Sequence, residues 1–552
     1  MGLFTKKPMH LLMEEAGDSE KGLKRTLSAG SLIALGIGAI IGAGLFVRTA
    51  AAAAQNAGPS VTLGFIVAAI GCALAGLCYA ELSSSIPISG SAYTYTYATM
   101  GELLAWVIGW DLILEYAVGA ATVGIAWSEY LNNMLVHVFH MKAIAYEWCH
   151  SPFEHSVADA AGVVHTGIIN LPALGIVTAL SLLLIKGTQE SAFVNGLIVI
   201  TKVSIVVLII IFGWSFVQAG NHTPYIPEPT IYTDSQGVDH HFGGIMGILG
   251  AAGVVFFAFI GFDAVSTAAQ ETKNPKTAMP IGILGSLAVC TVLYILFAHV
   301  LTGIAPVEFF RTDGKEASVV AAINKYMPGY AWLGKLVTVA ILAGFSSVIL
   351  VMLLGQSRVF YSMSKDGLLP DTFSHLHPKF KTPHKANLII LVLVGGFAAF
   401  VPGDIVGDMT SIGTLFAFIL VCGAVIILRK TNPELHREFK TPLVPLVPIL
   451  GIIVCAAMIF GLGWTNWLRL ALWMTIGLDI YYLHGMRTSK LKTKSSSESF
   501  LRSTMPIVLI SIIAIIVSLL LKDIYGIIFC IVQFIVMMWI ILNQLYHKLT
   551  DK

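Results

Sequence analysis

The chain has 552 residues, 56% of them hydrophobic and 12% charged, with a formal net charge of +2 and a mean hydropathy of +0.81. No soluble domain needs that much apolar surface, so the composition excludes a soluble globular protein and indicates a polytopic membrane protein. The near-neutral charge gives no nucleic-acid role, and the seven cysteines (72, 78, 149, 290, 422, 455 and 530) form neither a disulfide framework nor a metal-ligand spacing.

Residues 1–27 are polar and basic, lack the apolar core of a signal peptide and read as a cytoplasmic N-terminal segment. After them, windows of about 19 apolar residues mark about fourteen spans. These are 28–55, 60–86, 101–136, 167–185, 190–218, 244–270, 279–304, 331–361, 386–402, 409–428, 444–464, 467–486, 504–521 and 524–546.

The first span carries GIGAIIGAGLF from Gly36 to Phe46, with glycines at 36, 38, 42 and 44. Glycine weakens a helix interior by about 1 kcal/mol relative to alanine and lets the backbone come close to a ligand. In hydrocarbon, bare peptide groups are tolerated only where they face protein or a wet cavity. A break halfway down this helix therefore points to a binding site at mid-membrane; the competing reading is that the glycines only let helices pack closely. Arg48, near the outer end, reads as a side chain that snorkels to the interface. Glu81 and Arg358, near inner helix ends, read as gate or loop contacts, and Tyr93, Tyr95 and Tyr97 read as an interfacial aromatic belt.

An ionisable side chain near the bilayer centre costs several kcal/mol and is a functional candidate by default. Glu115 lies about 14 residues into the third span, roughly 21 Å along a helix. Lys202 sits in the middle of the fifth span, where an amine can serve as a fixed or a titrating cation. The sixth span contains FFAFIGFD, Phe256 to Asp263, a second interruption closed by Asp263. For all three residues the alternative is a buried ion pair that locks helices. Paired interruptions in corresponding helices of two halves are the best pointer to the site of an inverted-repeat transporter. His299 in the seventh span reads as a packing histidine, and residues 316–326 read as a short amphipathic helix outside the membrane. Residues 487–503, basic and serine-rich, read as a solvated cytoplasmic linker. With the N-terminus inside, about 23 of the 33 basic residues fall on the cytoplasmic side. Both termini are therefore expected in the cytoplasm.

GAIIGAG at 38–44, GELLAWVIGWDLILEY at 101–116, FFAFIGFDAVSTAAQETKNP at 256–275, GQSRVFYSMSKDGLLP at 355–370 and IGTLFAFILVCGAVIILRKTNP at 412–433 resemble the amino acid–polyamine–organocation superfamily. Within it they are most similar to the cationic amino acid transporter family and its bacterial homologues. The resemblance covers the chain to about residue 487, by the reach of these motifs. It implies an all-α integral membrane LeuT-type fold with a 5+5 inverted repeat. Residues 28–218 would be the first repeat (helices 1–5) and 243–428 the second (helices 6–10), with helices 1 and 6 unwound. Helices 11 and 12 would occupy 444–486 and the last pair 504–546.

The resemblance further implies a zwitterion held by main chain. Amides around Ile41, Gly42, Ala43 and Gly44, at the start of a half-helix, would take the carboxylate. Carbonyls of Ile40, Phe257, Ala258 and Ile260 would take the ammonium, and Tyr294 and Met352 would line the side-chain pocket. Lys202 would couple transport to protons, with Glu115 and Asp263 in a supporting network. The expected function is proton-coupled uptake of small neutral L-amino acids such as alanine across a bacterial inner membrane, with the proton as coupling ion, no other cofactor and no metal. A cationic amino acid permease or an exchanger is the alternative, and an amino acid sensor without flux a remoter one. A small single-helix accessory subunit is left open as a partner beside the free amino acid and the lipid. No filter repeat of a channel is visible, nor any clustered catalytic set of an enzyme.

Overall fold

The structure, a computed structural model, describes residues 5–12, 27–42, 44–86, 88, 91–154, 156–158, 164–185, 192–234, 239–267, 269, 272–312, 318–378, 382–491 and 516. Among these the chain is helical in its apolar runs, since in hydrocarbon a spanning segment must satisfy its own peptide groups. Six helices are long and apolar enough to cross a membrane: Gly44–Ser85, Glu102–His137, Gly244–Ser266, Pro275–Ile304, Ala331–Lys365 and Val406–Thr431. Shorter apolar helices run over Ala29–Ile40, Leu171–Ile185, Val199–Trp214 and His384–Phe400, and Leu446–Gly461 meets Trp464–Ile480 at a bend of 110°. Each expected span up to residue 486 overlaps an apolar helical run, with Gly44–Ser85 joining the second half of the first expected span to the second. The expected spans at 504–521 and 524–546 lie outside the described residues, apart from Ile516. Among the described residues strand is confined to two short hairpins, Val157–Ala158 with Val164–His165 and Thr230–Thr233 with Asp239–Phe242.

The second span packs on the seventh, the third on the eighth, the fourth on the ninth, and the first crosses the sixth. The fifth packs instead on the first, seventh and eighth. In lipid such contacts rest on close packing and hydrogen bonding rather than on a hydrophobic drive.

Several expectations need correction. Arg48 does not snorkel: it is buried and ion-paired with Asp408 on the tenth span, and the Asn466 amide of the twelfth donates to the same carboxylate at 3.3 Å. A guanidinium that finds a carboxylate inside the protein does not need the headgroups. Tyr93, Tyr95 and Tyr97 form no belt either. They are buried in a helix, Ser91–Thr99, where Tyr93 donates to Asp366 at 2.7 Å and Tyr97 to Glu102 at 2.9 Å. Lys7 carries more than a topological charge, since its Nζ donates to Asp366 Oδ1 at 2.8 Å. The start of the 487–503 linker is fastened rather than solvated: Thr488 Oγ1 donates to Gly367 O at 2.6 Å, the Lys490 amide to Asp366 O at 3.1 Å, and Ser489 Oγ to Glu102. The amphipathic helix is present as Ser318–Tyr326, with Val319, Val320, Ala322 and Ile323 inward. Glu81 binds Arg429 through two hydrogen bonds at 2.7 and 2.8 Å. His299 packs against Trp214 and His222.

Candidate site at the crossing of two broken helices

The first span starts as a regular helix, Ala29–Ile40, capped by Ser28, whose Oγ accepts the Ser31 amide at 3.2 Å. It stops at Ile41, where the backbone turns extended (ψ 103°). The chain resumes helical turns at Gly44–Arg48, tied back by the Leu45 amide to Gly42 O at 3.2 Å. Ala43 lies outside the described residues. The sixth span likewise runs as Gly244–Phe256, tightens through Phe257–Phe259 and breaks at Ile260, before a short helix at Ala264–Thr267. Both interruptions fall where the glycine-rich stretches place them.

The two breaks interlock. A Cβ on Gly44 would lie 2.2 Å from Cα of Ala258, and one on Gly261 would lie 3.0 Å from Cβ of Ala39. Gly261 also has φ +110°, a conformation that side chains disfavour. Each crossing therefore needs a glycine, one from each helix.

Of the expected ammonium ligands, the carbonyls of Ile40 and Ala258 face one hydroxyl, that of Tyr294, at 3.0 and 2.9 Å. Phe257 O accepts the Ile260 amide at 3.3 Å and so closes a turn. Tyr294 is thus more than a wall of the side-chain pocket. Met352, on the eighth span, packs toward Gly119 of the third, its Sδ 3.3 Å from where a Cβ would stand.

The three residues proposed for protons fall into two groups. Lys202 is buried and donates to Gly38 O at 2.8 Å, tying the fifth span to the first. Beside it lies a cavity of about 10 Å³ bordered by Ile41, Phe46, Ile205, Ile341 and Gly344. That is near the smallest volume that holds a water. Glu115 and Asp263 face each other within hydrogen-bonding reach, and Tyr116 donates to Asp263 Oδ2 at 2.7 Å. Neither carboxylate pairs with Lys202 among the described residues. The third carboxylate of this group, Asp111, escaped the sequence reading. It is buried one turn before Glu115 on the same helix face, and both of its oxygens lack a partner among the described residues. Its signal was the i, i+4 spacing to Glu115 inside one apolar run. No group of three or more His, Cys, Asp or Glu is placed to hold a metal among the described residues.

Comparison with known proteins places the chain in a family. The profile of the amino acid permease family matches residues 27–473. The branched-chain amino acid permease BcaP of Bacillus subtilis is 42% identical over 489 residues, 89% of this chain and 99% of that one. A methylthioribose transporter of the same organism is 39% identical over 490 residues, again 89% and 99%. Cationic amino acid transporter 4 of Mus musculus is 33% identical over 450 residues, 80% of this chain and 65% of that one.

Proposed function

The chain belongs to the amino acid permease family, as a multi-pass membrane protein and not an enzyme, and from that premise we propose that it takes up neutral aliphatic L-amino acids together with protons. The range runs from alanine toward the branched chains that the name of the BcaP relative suggests, and the site of action is a bacterial inner membrane with both termini in the cytoplasm. The observation that carries this reading is the interlocked pair of helix breaks, with the Ile40 and Ala258 carbonyls converging on one point. Converging carbonyls on one side and the start of a half-helix on the other suit an ammonium and a carboxylate held one carbon apart. Recognition by main chain leaves the side chain to the pocket, where Met352 is bulky and neutral.

Coupling in this reading runs through Lys202. While protonated, its ammonium holds Gly38 of the first helix, and loss of the proton releases that tie. Glu115 and Asp263 support the cycle as a proton-sharing pair. Two carboxylates in contact are both acceptors, so a proton between them is what makes the contact favourable.

A second reading, uptake of cationic amino acids, draws on the three carboxylates and on the similarity to the cationic transporters. Their burial argues against it, since a substrate guanidinium would have to part the third and sixth spans to reach them. Liposomes holding the purified protein distinguish the readings. With the interior alkaline, labelled alanine, valine and leucine should accumulate above equilibrium, and a protonophore should abolish the accumulation. Exchange without accumulation, or a preference for arginine, would overturn the proposal.

A further inference from the structure

Tyr294 stands where the proposed ammonium would bind. Its ring is fully buried and held by Phe65 and Phe259, with ring centroids 5.6 and 5.2 Å away. Its hydroxyl lies 3.0 Å from Ile40 O and 2.9 Å from Ala258 O. A phenol has one proton, so it donates to one of these carbonyls at a time. The hydroxyl nevertheless bridges the two broken helices at the point where each leaves a carbonyl outside its own helix.

We propose that Tyr294 competes with the substrate for these two carbonyls: its hydroxyl holds the helix 1 and helix 6 breaks together, and the ammonium of the arriving amino acid displaces it. The inference rests on the main-chain recognition of the substrate argued above. An ammonium has three N–H donors and a full charge, and charge-assisted hydrogen bonds are roughly twice as strong as neutral ones. It therefore satisfies both carbonyls at once, where the phenol satisfies one. The exchange also works in reverse. When the substrate leaves, the phenol re-covers peptide groups that would be costly to leave bare in a low-dielectric interior. Tyr294 then acts as a positioning and affinity-setting residue. An α-hydroxy acid, with one donor of its own, displaces one phenol with another hydroxyl and gains little.

The isosteric variant Tyr294→Phe keeps the ring and removes the competitor. Its KM for alanine should fall about fivefold, the worth of one net hydrogen bond, with kcat unchanged or lower. Its discrimination between valine and 2-hydroxyisovalerate should stay as in the wild type, since both ligands displace the same hydroxyl. A rise in KM would make the hydroxyl a ligand of the substrate, and an unchanged KM would make it a packing group; either result overturns the proposal. A second readout keeps the hydroxyl: 3-fluorotyrosine placed at 294 in the full-length protein should shift its fluorine resonance on addition of alanine, and a resonance that stays put would also overturn it. If neither alanine nor valine stabilises the wild-type protein against heat, the main-chain reading itself has failed. If they stabilise the wild type and Tyr294→Phe equally, only the competition has.

Discussion

Two buried charged regions border the crossing of the first and sixth helices, and they are built on opposite terms. Around Lys202 a donor meets the main chain: the ammonium donates to Gly38 O at 2.8 Å, with a cavity of about 10 Å³ beside it. Around Glu115 acceptors outnumber donors. Both oxygens of Asp111, both of Glu115 and Oδ1 of Asp263 have no hydrogen-bond partner among the described residues, and Tyr116 supplies the one side-chain donor. A buried ammonium that donates to a peptide carbonyl can tie one helix to another, whereas facing carboxylates must share protons or separate. The difference assigns the two regions different work in the proposed cycle. The lysine makes and breaks a mechanical tie, and the carboxylates keep a proton between two helices that move.

Removing the lysine should have the largest effect. Lys202→Ala deletes the tie to the first helix, and accumulation driven by an imposed pH gradient should fall to the equilibrium level in liposomes. Exchange of internal for external amino acid should continue, because it needs the crossing but not the coupling. If gradient-driven accumulation survives in this variant, the lysine is an anchor and the two regions do not divide as argued. Next in size are changes at Glu115. Glu115→Ala leaves Asp263 facing a gap and should lower uptake about tenfold, in keeping with the loss of a charge-assisted hydrogen bond. Glu115→Gln places a permanent amide donor where the shared proton was. It should retain the wild-type melting temperature while flattening the dependence of uptake on pH. Equal behaviour of the two variants would mean that no proton is shared there.

A smaller effect is expected at Met352, which borders the third span from the other side of Gly119. Met352→Ser shortens the side chain proposed to limit the pocket. The ratio of leucine to alanine uptake should then rise about fivefold, within what one or two methylenes are worth in an apolar pocket. An unchanged ratio, measured with the two amino acids in competition, would remove Met352 from the pocket.

How far these features can be read from the chain differs by kind. The helix breaks are local events, written in four glycines of one stretch and in FFAFIGFD of another, and they fall where those residues put them. Lys202 and Glu115 stand out because each is an ionisable group in an apolar run. Pairings are not local. Arg48 meets Asp408 and Lys7 meets Asp366 across some 360 positions, and neither carboxylate announces its partner. The tyrosines at 93, 95 and 97 show why a surface rule failed. Their hydroxyls suggested an interface, but for Tyr93 and Tyr97 the carboxylates of Asp366 and Glu102 met the same need inside the protein. The Tyr294 hydroxyl is invisible in the same way, because its acceptors are backbone atoms of two other helices.

Asp111 gives the finest test of the contrast between the two regions. It is buried on the third span, its Oδ1 lies 3.1 Å from where a Cβ on Gly413 would stand, and neither oxygen has a partner among the described residues. An acid so placed has two roles open to it. If it takes protons from the Glu115–Asp263 pair one turn away, Asp111→Asn should shift the pH profile of uptake as strongly as Glu115→Gln. If it is a neutral, protonated side chain wedged against the tenth span, the isosteric amide changes little. The geometry favours the second role, since Asp263 already has Tyr116 and Glu115 as neighbours. Asp111→Asn should keep the initial rate of alanine uptake within about twofold, as for most substitutions that remove no partner. It should leave the melting temperature unchanged or slightly higher, because it removes a buried ionisable group without orphaning another. A pH profile displaced by this one substitution would extend the proton-sharing region along the third span and make it three carboxylates wide.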